Sequence, residues 1–173
     1  MADSITLKAG VKISAAYIKD LELGDDPAYN LVVNQVENFT TGTAANQAQV
    51  LFTDQRTLAA NATENLDLAG GLVDAFGRTI TFTAIKGIYI KAADENINDV
   101  LVGGAASAPF LAVFGSATDK LAIKPGGTVL IMDPGAAGYA VGAGTADLLK
   151  VANSAGTTGV TYDIVIWGEG TVA

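Results

Sequence analysis

The chain has 173 residues, with 18 carboxylates against 10 lysines and arginines, a formal charge of −8 and a pI near 4.3. That balance opposes nucleic-acid binding by phosphate neutralisation and docking on an anionic membrane. Cysteine and histidine are both absent, which removes disulfides, thiolate metal sites, the commonest general base and any Ser–His or Cys–His nucleophile. An enzyme is therefore not expected, and neither is a cofactor or a metal.

Half of the residues are hydrophobic and only 16% are charged, which suits one packed domain with an appendage rather than disorder. Ile5, Leu7, Ala9, Val11 and Ile13 alternate with Thr6, Lys8, Gly10 and Lys12, the period of a strand. Ser14–Leu21 suits either a strand or two helical turns. Leu23–Asn30 is turn chemistry around Pro27, Leu31–Val36 reads as a short strand, and Phe39–Gln47 reads as a loop. Residues 1–45 are predicted to be an N-terminal arm or extension, and 46–173 the compact domain.

Strand patterns then recur at short spacing: 47–53, 63–68, 78–92, 99–102, 121–124, 128–132, 148–152 and 160–167. Turn signals separate them, among them Gly70-Gly71, Pro125-Gly126-Gly127 and Asp133-Pro134-Gly135. About eight strands at this spacing predict an all-β, antiparallel β-sandwich of the jelly-roll type. Arg78–Ala92 is the strongest of them. Ile80, Phe82, Ala84, Ile88 and Ile90 form its apolar face, and Lys86-Gly87 interrupts it where a long strand would bulge.

Chemical motifs are weak. Asp94, Asn96 and Asn98 match the first alternating ligands of a calcium loop, but Asp99 stands where Gly is needed and Ala105 where Glu is needed. A solvated hairpin turn is the preferred reading. Gly138–Asp147 lacks the third glycine and the following helix of a dinucleotide fingerprint. The acid pairs Asp25-Asp26 and Asp94-Glu95 sit on turns, without sign of a shared cleft. Phe110 and Phe114, in an apolar connection, and Trp167, opposite Ile164 and Ile166, are each core residues by default and contact residues as the alternative. No basic region followed by an apolar run opens the chain, and no apolar run has membrane length. Synthesis in a cytoplasm is the expectation.

Residues 46–92 and 124–168, NQAQVLFTDQRTLAANATENLDLAGGLVDAFGRTITFTAIKGIYIKA and KPGGTVLIMDPGAAGYAVGAGTADLLKVANSAGTTGVTYDIVIWG, together resemble small virion structural proteins of tailed bacteriophages. The likeness covers roughly residues 46–169 and rests on strand and turn composition. Within that class the resemblance implies a head decoration, or cement, protein on the capsid exterior. Its implied partners are the major capsid protein and its own copies, as a trimer. A tail or fibre module binding a host glycan is the alternative, with Tyr139, Asp147 and Trp167 as its candidate residues. For the cement reading the candidate interface is Ile5, Leu7, Val11 and Ile13, whose strand could add to a neighbour's sheet, together with Phe110, Phe114 and Trp167.

Overall fold

The computed structural model describes residues 4–173, so the first three residues of the predicted arm lie outside the described residues. Every regular element among them is a strand. β1 (Thr6–Ile18) and β2 (Ala28–Thr41) form one antiparallel ribbon, in register from Thr6 opposite Thr40 out to Ile18 opposite Ala28. β3 (Gln47–Ala48) runs parallel to the end of β2.

The body follows with β4 (Val50–Leu58), β5 (Thr63–Asp67), β6 (Leu72–Val73), β7 (Thr79–Ala92), β8 (Val100–Gly103) and β9 (Lys120–Ile123). It is completed by β10 (Thr128–Met132), β11 (Tyr139–Ala140), β12 (Leu148–Asn153) and β13 (Val160–Val172). One sheet has the order β10-β7-β13-β4, with β6 and β11 also on β7; the other has the order β5-β12-β8-β9. All ladders within these two sheets are antiparallel. A single apolar core draws on both, including Phe52, Ile80, Phe82, Ile88, Tyr162, Ile164 and Ile166 from the first and Leu66, Val100, Val102, Leu149 and Val151 from the second. Two antiparallel layers around one core are compatible with a β-sandwich.

β7 is one continuous strand, and its predicted interruption is a bulge. Trp167 pairs with Gly87 and the next residue, Gly168, with Ile85, which leaves Lys86 as an extra residue on β7. A second shift leaves Thr83 extra between Phe82 and Ala84. Each extra residue reverses the alternation of a pleated strand. The two together bring Ile85 into the core and return Ile88 and Ile90 to the face that Ile80 and Phe82 occupy.

Of the two readings open for Ser14–Leu21, Ser14–Ile18 takes the strand, because its residues complete the ladder with Ala28–Val32. The arm departs from the sequence reading in two places. The second strand is far longer than Leu31–Val36. Phe39–Thr41 belongs to it too, and Phe39 is fully buried.

Candidate interaction surface on the hairpin arm

Cross-strand partners in an antiparallel ribbon share a face, so the register of β1 and β2 sorts the arm into two surfaces. One carries Leu7 with Phe39, Ala9 with Glu37, Val11 with Gln35, Ile13 with Val33, Ala15 with Leu31 and Tyr17 with Tyr29. The other carries Lys8 with Asn38, Lys12 with Asn34, Ser14 with Val32 and Ala16 with Asn30. The first surface is apolar except at Glu37 and Gln35; the second is mainly polar but also carries Val36, Val32 and Ile18.

Among the described residues, only the inner end of the apolar face is covered by the chain itself. Phe39 meets Trp167 edge to face, with ring centroids 5.8 Å apart. Ala48, Leu7, Ala9, Leu51, Tyr89, Leu130, Met132 and Val165 complete this second, smaller core on the outer side of the β10-β7-β13-β4 sheet. Trp167 therefore serves the root of the arm. It lies flat enough on the sheet that a Cβ on Gly87 would come within 2.0 Å of its ring. Glycine at 87 is required by that close approach, which the sequence showed only as a gap in the alternation.

Farther out, no other described residue covers the same face. Val11 is 45% exposed, Ile13 50%, Tyr29 66% and Tyr17 76%, with Leu31 and Val33 exposed beside them. Thirteen residues of β1 span about 44 Å at the rise of an antiparallel strand. An isolated two-stranded hairpin is marginally stable at best in water. This ribbon keeps an apolar face off the body and leaves its strand edges unpaired beyond the root.

Between arm and body runs a groove with a volume of about 450 Å³. Leu7 and Val11 line one side; Tyr89, Leu130, Val165 and Trp167 line the other. Beyond it the sheet turns polar, where Gln55 bonds Asp163 at 2.8 Å and Lys91 stands near Asp94. The indole N–H of Trp167 is buried and without a hydrogen-bond partner.

The other candidates fall elsewhere. Ile5 lies at the arm's base, where its N–H bonds Thr41 Oγ1 at 2.7 Å. Phe110 is buried in the main core and Phe114 packs on its margin, so the apolar connection around them is largely committed to its own chain. Tyr139 is in β11, whereas Asp147 is buried and accepts from the N–H of Gly144, and Trp167 lies under the arm. Those three do not form a shared glycan surface. Asn96 is latched to Thr161 by bonds of 2.8 and 2.9 Å. Asn98 is buried and bonds Asn153, Thr157 and Thr158. Their oxygens therefore serve loop closure. Among the described residues no group of three or more carboxylates is placed to hold a metal ion.

A half-buried polar cluster ties the two body sheets together. Tyr162 donates to Glu64 Oε1 at 2.7 Å, and Arg56 Nη1 reaches Glu64 Oε2 at 2.5 Å and, through Nε, Asp54 at 3.0 Å. Burial, and then the bond to Glu64, push the Tyr162 phenol well above its usual pKa. The arrangement braces β13 and β4 against β5.

Sequence reasoning found the β1 half of the apolar face through its alternation. It reached the β2 half only at Leu31 and Val33, within the predicted strand Leu31–Val36, because Tyr29 lies in a turn-rich stretch and Phe39 stands alone among Thr, Gly and Ala. It missed the receiving row of Leu51, Leu130 and Val165, each on a different strand. Comparison with protein-family models, curated proteins and solved structures returns no match to this chain.

Proposed function

We propose that this chain is a structural protein of a tailed-phage virion: a head decoration protein that binds the outer capsid surface through the major capsid protein and stabilises the shell. The observation that carries the reading is the amphipathic hairpin arm, a two-stranded ribbon whose apolar face runs on past its own body. A cement protein needs a stable scaffold, an adhesive surface and repeated valency, since several weak contacts on one oligomer act at high effective concentration. The arm supplies an adhesive surface on a fully packed β body.

A jelly-roll body is part of the proposal, and strand order supports it. The body strands of four or more residues are β4, β5, β7, β8, β9, β10, β12 and β13. Renumbered along the chain, one sheet runs first, eighth, third, sixth and the other second, seventh, fourth, fifth. Successive strands thus wrap between two sheets as a jelly roll's Greek keys do.

The test is co-sedimentation with purified capsids that lack this protein. Saturable binding at a fixed ratio to the capsid subunit is expected, weakened by Ile13→Asp with Tyr29→Asp. Absence of binding, with retention on a glycan array, would replace the cement reading by the tail-fibre one.

A further inference from the structure

We infer that the outer apolar face of the arm seats in the groove beside the arm root of a second copy of this chain. The contact deepens the self-association in the reading above, and it can be tested without any capsid.

The inference begins with continuity. Leu7 with Phe39 and Tyr17 with Tyr29 are two ends of one ribbon face. The inner end is already seated on Trp167, Tyr89, Leu130 and Val165. The body's apolar strip continues under the arm into the groove, where Tyr89, Leu130 and Val165 remain partly uncovered. The molecule thus holds both halves of one contact: an unfilled stretch of the surface that accepts this face, and an unseated stretch of the face itself.

They cannot meet within one chain. β1 and β2 pair without a break from Thr6 to Ile18, and Lys12–Ile18 extends roughly 24 Å beyond the groove-lining Val11 at strand rise. Folding that segment back would break the ladder. Charge contributes a smaller part. The hairpin tip carries Asp20, Glu22, Asp25 and Asp26 against Lys19 alone, and Lys8 lines the groove, but Lys12 lies on the ribbon's other face and Glu37 shares the face of Ala9.

The contact is heterologous: arm to groove rather than like to like. Such contacts close into rings when the rotation between copies permits, and each copy then donates one arm and receives another. A ring repeats the contact, so each copy is held at two places.

The experiment is analytical ultracentrifugation of the full chain over a concentration series, with circular dichroism on each variant. The arm variant, Ile13→Asp with Tyr29→Asp, alters exposed positions only. The groove variant is Thr128→Glu, at an exposed groove position outside the core that seats the chain's own arm. Wild type should assemble and each variant alone should be monomeric. Mixing them should restore a complex with one copy of each, because the groove variant keeps its arm and the arm variant keeps its groove. A wild type that stays monomeric overturns the inference, as does a mixture that stays monomeric while wild type assembles. Assembly without capsid binding would keep this inference and remove the virion reading. A monomer that still saturates capsids would do the reverse.

Discussion

Trp167 and Gly87 face each other across β13 and β7, and the indole occupies the space that any side chain at 87 would need. The pair joins two parts of the molecule. Its strands belong to the body sheet, while the ring is half of the Phe39 contact that seats the arm. A substitution at 87 is therefore felt at the arm root, although 87 and 39 are far apart in the chain.

Gly87→Ala should destabilise the protein by about 3 kcal/mol, the upper part of the range for overpacking a filled site. Trp167→Phe in the same background should return part of that loss by making room. Urea unfolding of the three proteins reads both effects. Equal midpoints for Gly87→Ala and wild type would mean that the ring moves aside freely.

Lys86 is fully buried, and its ammonium is held by the carbonyls of Gly135 and Ala136 and by Glu169, 2.9 Å away. The glutamate is close without the alignment of a hydrogen bond. In the same turn, the carbonyl of Pro134 accepts from the N–H of Asn46 at 2.8 Å, which fastens the arm root to it. Lys86→Met should cost about 3 kcal/mol, the low end for breaking a buried pair, since Glu169 keeps some solvent contact. Adding Glu169→Gln should recover part of it. Amide exchange at Asn46 should quicken in the single variant; unchanged protection there would separate Lys86 from the arm.

Tyr162 gives stability a sign in alkali. Its folded pKa lies above the unfolded value of about 10, so the folded chain holds the proton more tightly. The contribution is complete below pH 10 and is lost as pH rises beyond it, because only the unfolded phenol ionises there. Denaturant midpoints should fall above pH 10, and Tyr162→Phe should flatten that fall. A parallel decline in both proteins would assign the loss to other groups.

The body was readable because its strands obey the period of two and end in Gly and Pro turns. Even the Lys86-Gly87 break marked a true bulge. What stayed hidden was the environment of each face. Tyr89 lies on the face of β7 that reads as Thr-rich, and Trp167 follows a clean inward series at Val160, Tyr162, Ile164 and Ile166. Neither position tells that an arm from the first forty residues lies over it. Alternation assigns residues to sides of a strand; what covers a side depends on pairings distant in the chain. The arm shows the same limit, since the matching face of β2 begins in a stretch rich in turn residues.

The place of β13 between β7 and β4 has a consequence for the order of events on the ribosome. The arm's two strands are neighbours in sequence and can pair as soon as both have emerged. β4 and β7 emerge early as well, but the strand that joins them comes only with residues 160–172. Until then β4 has an unpaired edge towards β13, and the inner side chains of half the body wait for their cover. A ribosome stalled before residue 160 would display the ribbon without its Trp167 seat, beside an unfinished sheet. Nascent chains on one message would be liable to join through those open edges before any of them had folded.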